Sequence, residues 1–308
     1  MLRHWWCVYV LEKISKSPVL EAPTNSPSPK PGMQTWLLGT LVLALVVSLY
    51  ANISIKLVTD WVKLPDFSHG FLIPFFVLFL LWDRRHVIFN GTSSPSWWGL
   101  SLVFLALGVL LTGVFGADLF LSRISFILLC AGLIWTLAGS RVLVKTKFIL
   151  FVLLLAIPLP TLLFNQITFP LQLLASQLAS ATLPLAGVPV LRDGNVIQLP
   201  SMQLEVAEAC SGIRSLLSLF TIAVIYGYFL ESIMWRRIAL AVAAIPIAVA
   251  ANALRIVGTG LCVQYWNPDK AIGFFHEFSG WLMFVISLCC LFFLHSIMRL
   301  LSAKAAAA

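Results

Sequence analysis

Three residues of this chain pair a reactive side chain with an unusual setting: Cys210, Arg255 and His276. Cys210 lies in Leu204-Glu205-Val206-Ala207-Glu208-Ala209-Cys210-Ser211-Gly212-Ile213-Arg214, a polar stretch that runs straight into an apolar helix. A free thiol titrates near roughly pH 8.5, and a helix N-terminus or a nearby cation favours its thiolate. Arg214, four residues on, sits one helical turn away, beside the sulfur or its substrate. The plainer reading is a small residue packed at a helix start. Arg255 interrupts the apolar run Ala250-Ala251-Asn252-Ala253-Leu254-Arg255-Ile256-Val257. A central arginine costs about 2.5–3.5 kcal/mol on insertion scales, although one near a helix end can snorkel outward. The functional alternative is a guanidinium fixed to stabilise an oxyanion, braced by Asn252 on the same face. His276, in Gly273-Phe274-Phe275-His276-Glu277-Phe278, can take a proton from a thiol and return it to a leaving amine. A lone interfacial histidine is as readily structural.

The elements that must position these residues are membrane helices. Of 308 residues, 60% are hydrophobic and 10% charged, far below the roughly 25% of soluble domains. A crossing needs about 20 predominantly apolar residues. The sequence predicts about eight: Trp36–Ile55, Phe67–Trp82, Trp98–Phe115, Leu119–Ala138, Phe148–Phe164, Ile213–Leu230, Ile238–Val257 and Phe278–Met298. The alternating segments of a β-barrel are absent. The expected class is therefore an all-α polytopic membrane protein. With a cytoplasmic N-terminus, alternation places thirteen of the twenty Lys and Arg inside, as the positive-inside rule asks. Both termini are then cytoplasmic, and the net charge of +8 reflects topology rather than nucleic-acid binding. On that plan Cys210, Arg255 and His276 fall at the outer ends of spans six, seven and eight. Nucleophile, oxyanion stabiliser and base are what acyl transfer through a thioester requires.

Other segments read more simply. Residues 1–35, rich in Ser and Pro, form a disordered cytoplasmic segment; 36–300 form the transmembrane domain; 301–308 form a low-complexity tail. Met33 is an alternative start to Met1. The stretch from Phe148 to Leu191 lacks Asp, Glu, Lys and Arg. Within it, Phe164, Ile167, Leu171, Leu174, Leu178 and Leu185 keep helical spacing, with Gln172, Ser176 and Ser180 on another face. It reads either as an amphipathic helix at the outer interface or as a tilted extra span. Asp193-Gly194-Asn195 between β-branched residues predicts a small periplasmic hairpin before helix six. The six cysteines show no CxxC spacing, and only Cys210 and Cys262 fall near the outer face, where a disulfide between them is an open option. No His-Glu-x-x-His metal set and no Gly-x-Ser-x-Gly elbow occurs, and the reading calls for no metal and no cofactor.

The run Ala207-Glu208-Ala209-Cys210-Ser211-Gly212-Ile213-Arg214-Ser215-Leu216, with Asn252-Ala253-Leu254-Arg255-Ile256, Phe275-His276 and Phe67-Ser68-His69-Gly70-Phe71-Leu72-Ile73-Pro74, closely resembles the exosortases and archaeosortases. Asp193–Pro200 matches that family's lead-in to its cysteine, and the likeness covers roughly residues 37–300. It implies a membrane cysteine protease and transpeptidase of the bacterial inner membrane with its site facing the periplasm. The implied substrates are secreted proteins carrying a C-terminal Pro-Glu-Pro signal, a membrane helix and a basic tail. By this resemblance Cys210 is the nucleophile, Arg255 the catalytic arginine and His276 the base; Arg214, His69 and Asn252 are binding or supporting residues. Membrane lipid surrounds the chain, and an exopolysaccharide is the implied candidate acceptor, since the family often accompanies exopolysaccharide gene clusters. A transporter or scaffold component of exopolysaccharide export is the rival reading.

Overall fold

The computed structural model describes residues 33–89, 94–206, 212–266 and 274–307. The chain divides into two units, 1–49 and 50–308. The first contains the opening half of helix α1 (Met33–Lys63). The site residues all belong to the second.

In that second unit the chain is helical almost throughout. A 3-10 turn (Pro65–Phe71) leads into α2 (Leu72–Asp83) and short α3 (Arg85–Phe89). An antiparallel pair follows, α4 (Trp98–Phe115) and α5 (Leu119–Ala138). After α6 (Ser140–Leu154) and α7 (Thr161–Thr182) come three short strands, β1 (Leu191–Asp193), β2 (Val196–Gln198) and β3 (Gln203–Glu205). Helices α8 (Ile213–Leu230), α9 (Met234–Tyr265) and α10 (Phe274–Ala307) complete the fold.

Among the described residues, seven helices are long and apolar enough to cross a membrane. The fifth predicted span, Phe148–Phe164, is not one helix. It is cut after Leu154, and α7 begins only at Thr161. Pro158 and Pro160 explain the cut: each lacks an amide donor and pushes its preceding residue out of helical geometry. Both prolines are apolar, so a hydropathy window passes over them. Helix α6 has 15 residues, about 22 Å of rise, and still connects the two ends of the unit. It starts beside Ser94, whose amide bonds Ala138 O, and finishes where Ala156 O accepts from Trp61 Nε1 at 2.9 Å.

The two ends differ in chemistry. One is basic: Arg84 and Arg237 both lie over the Tyr228 ring, at 5.2 and 4.9 Å. Exposed Trp82, Trp97, Trp98 and Trp235 belong to the same connections and helix ends, as expected of an interfacial aromatic belt. The opposite end holds the ion pairs Asp60–Arg123 and Asp66–Arg214. Inside the unit the pattern of a soluble protein is inverted. Arg123, Thr168, Gln172, Ser176, Glu231, Asn252 and His295 are buried, while leucine and phenylalanine side chains face outward. Lipid satisfies the apolar exterior, so polar side chains must find partners inside.

The predicted hairpin is present. β1 pairs antiparallel with β2 (Asp193 opposite Val196), and Gly194 takes φ 61° at the first turn position, as a type II′ turn requires. The sequence reading omitted β3, which pairs with β2 through Ile197 opposite Leu204. This meander is docked on α7, where Ser176 Oγ donates to Gly194 O at 2.9 Å. Ile197, Leu199 and Val206 are buried against Ala175 and Ala179 of α7 and Ile256 and Val257 of α9. Helix α7 thus turns Thr168, Gln172 and Ser176 toward the protein and leaves Leu162, Ile167 and Leu174 outward.

Candidate active site

The chain enters and leaves the cysteine segment at fixed points. On the near side the Val206 amide donates to Asn195 O at 2.9 Å, and the Val206 side chain is buried. On the far side Gly212 adopts φ 78° as the N-cap of α8, followed by buried Ile213. Cys210 lies between these anchors, outside the described residues. Gly212 is required twice over. Its φ is in the left-handed region, and a methyl group there would stand 2.8 Å from Cβ and Cγ of Asn252. The residue two positions after Cys210 is therefore seated on Asn252, which is 4% exposed within α9.

One turn along α9 from Asn252 is Arg255, half-buried rather than projecting freely into solvent. Its guanidinium lies across Gly280 of α10; a methyl on Gly280 would be 3.3 Å from Cζ and Nη2. Gly280 follows His276 by four residues, one turn of the same helix. His276 is in the first turn of α10, and its side chain lies outside the described residues. The described neighbours of Cys210 and His276 thus meet the same turn of α9, Asn252–Arg255, from two sides.

Arg214 and His69 form a second group on another face of α8. Arg214 Nε approaches Asp66 Oδ1 at 3.5 Å. His69 is buried, and its Nε2 donates to Leu155 O at 3.3 Å. Together with the Trp61 bond to Ala156 O, this satisfies carbonyls orphaned where α6 ends. His69 therefore supports the broken helix, and its bond places it on α6 rather than on Arg255. Cys262 is half-buried on α9 within the cluster packed under the meander; its suggested partner, Cys210, lies outside the described residues.

Sequence reasoning missed Gly280 and Asp66. Asp66 carried a signal, being an acid three residues before His69 at the head of an apolar span. Gly280 carried none, because a glycine that seats a guanidinium reads like any other small residue in a membrane helix.

The fold and this cluster define a multi-pass α-helical membrane protein with a polar site at one end of its bundle. The family comparison gives the class a name: the transmembrane exosortase family model matches residues 61–293, and the chain belongs to that family. The match takes in the 3-10 turn, the meander, α8, α9 and the first turns of α10. No curated protein and no solved structure matches the chain.

Proposed function

We propose that this chain is a cysteine protease and transpeptidase that processes C-terminal sorting signals of secreted proteins at the periplasmic face of a bacterial inner membrane. The observation that best supports this is the shared turn of α9. Gly212, beside Cys210, packs on Asn252, and Arg255 packs on Gly280, one turn from His276.

In the proposed reaction His276 accepts the thiol proton of Cys210, and Sγ attacks a peptide carbonyl of the signal. The carbonyl oxygen gains negative charge, which Arg255 stabilises in a site shielded from bulk water. The tetrahedral species collapses as the C–N bond breaks. His276 gives its proton to the leaving amine, and the secreted protein remains on Cys210 as a thioester. An acceptor amine or water then attacks that thioester, the thiol is restored, and the product leaves. The family's Pro-Glu-Pro signal, membrane helix and basic tail are the substrate features proposed here, with an exopolysaccharide-linked acceptor as a candidate.

The test is co-expression of a tagged Pro-Glu-Pro-signal protein with the wild-type chain or Cys210→Ala at matched membrane levels. A size shift with the wild type alone supports the thioester route. A shift with both removes Cys210 from the mechanism. With no cognate substrate shifted by either, the transporter or scaffold reading takes its place.

A further inference from the structure

Helix α8 has a second working face. Gly212, Leu219 and Ala223 turn toward α9, whereas Arg214, Ser218, Thr221, Ile222 and Ile225 follow one another along another stripe. Opposite that stripe stand Asp66, Ser68 and His69 of the 3-10 turn and Ile73 and Phe76 of α2. The two walls, with Phe284 of α10, enclose a cavity of about 250 Å³. It is too small for a helix about 10 Å across, but sized for side chains of a segment lying against it.

The cavity has a cation one turn above it. Arg214 precedes Ser218 by four residues on α8, and Asp66 precedes His69 by three on the 3-10 turn. Their contact is loose: 3.5 Å, outside hydrogen-bond range, with the Arg214 side chain 53% exposed. The Asp60–Arg123 pair at the same end of the bundle is its opposite, 2.6 Å long with Arg123 4% exposed. Arg123 is a fixed brace. Arg214 is an accessible guanidinium held by a weak, exchangeable carboxylate partner.

We infer that Arg214 reads an acidic side chain of the substrate, exchanging Asp66 for it, while the cavity below receives apolar side chains of the segment that follows. This inference rests on the transpeptidase reading and deepens it. A guanidinium pairs with a carboxylate through two parallel N–H bonds, which a 3.5 Å contact at Nε leaves available. Along α8 the surface runs from cation at Arg214, through the hydroxyls of Ser218 and Thr221, to Ile225, over about 16 Å. The proposed signal has the same order, an acid first and then an apolar helix entering the membrane. The substrate helix then runs parallel to α8, with its acidic residue at Arg214, four residues after Cys210 in the chain. Asp66 keeps Arg214 aimed between turnovers.

The test uses two purified probes, each a tagged protein ending in an apolar helix and a basic tail, one preceded by Pro-Glu-Pro and the other by Pro-Lys-Pro. Capture is measured in detergent on full-length Cys210→Ala, which does not consume the probe. The Glu probe should bind about tenfold more tightly than the Lys probe, the size of one charge-assisted pair. Arg214→Glu in the same background should reverse the preference, Arg214→Lys should keep it, and Arg214→Gln should abolish it. Equal capture of both probes by the parent, or a preference unchanged by Arg214→Gln, overturns the inference. Should Arg214→Glu bind neither probe, the Arg214→Gln and Arg214→Lys pair decides. Cleavage by the wild type without charge preference sinks the subsite alone. A charge preference without Cys210-dependent cleavage sinks the transpeptidase reading alone.

Discussion

Arg255 shows how one small residue sets the position of a large charged one. Its guanidinium rests on Gly280, where a methyl would come within 3.3 Å of Cζ and Nη2. Gly280→Ala therefore asks the guanidinium to shift by a few tenths of an ångström, and Gly280→Leu displaces it altogether. A misplacement near 1 Å costs up to about 100-fold in rate. We expect Gly280→Ala to slow signal processing modestly and Gly280→Leu to slow it by about 10–100-fold at unchanged membrane levels. Arg255→Lys should lose about 100-fold or more, since lysine lacks the planar fork of donors. Near-wild-type rates for Arg255→Lys would reduce Arg255 to a snorkelling residue. Gly212 makes the complementary case on the cysteine side. Gly212→Ala combines φ 78° with a 2.8 Å encounter with Asn252, a strain of about 1–3 kcal/mol. It should lower both the thermal midpoint in detergent and the processing rate, whereas Ser215→Ala, which removes only a bond back to Gly212 O, should change either little.

At the level of elements, the helices that carry the site are pinned far from it. Glu231, after α8, accepts from His295 Nε2 of α10 at 2.7 Å and from Arg236 of α9 at 3.2 Å. Tyr226 of α8 lies 2.6 Å from His295 Nδ1 and can donate to it. With Tyr226 donating to Nδ1 and Nε2–H donating to the carboxylate, both ring nitrogens are satisfied, and Arg236 shares the same carboxylate. Removing the carboxylate strands a buried imidazole and a half-buried arginine, a loss of up to about 3 kcal/mol. Glu231→Ala should therefore lower the detergent melting temperature far more than Tyr226→Phe, which loses one bond of about 1 kcal/mol. Equal, small shifts in both would mean that water or lipid headgroups replace the network. None of this was legible in the sequence, where neither His295 nor Glu231 belongs to a motif or carries a local signal. What was legible had local causes. The hairpin followed from Asp-Gly-Asn between β-branched residues, and Arg255 stood out because an arginine inside an apolar run is costly. The break at Pro158 and Pro160 was hidden by their own apolarity. The polar stripe of α7 was visible, but a stripe does not say whether water or protein faces it; the structure turns Gln172 and Ser176 inward. Asp66 and Arg214 are far apart in the chain, and only tertiary structure joins them.

For the whole molecule the deciding element is α6. Among the described residues seven helices meet the length and apolarity of a crossing, and an odd number of crossings would put the two termini on opposite sides. We expect helix α6 to be the eighth traverse, since it starts near the Arg84–Arg237 end and stops at Trp61 and His69 of the other. At about 22 Å it falls short of a 30 Å hydrocarbon core. The deficit is covered by protein, because its terminal carbonyls bond Trp61 and His69 rather than meeting lipid. By the positive-inside rule, the concentration of arginines at one end predicts that this end faces the cytoplasm. Epitope tags placed in residues 90–93 and after Ala308 should then be reached by antibody only after spheroplast lysis. Tags at Gly116 and Ser201, at the opposite end, should be reached in intact spheroplasts. A C-terminal tag reached without lysis would mean that α6 does not cross; Cys210 and His276, two crossings apart, would still share a face, but it would be the cytoplasmic one, where the proposed substrate is not presented. Should all four tags report the reverse orientation together, the fold would stand and the site would face the cytoplasm, where a secreted substrate arrives only before export.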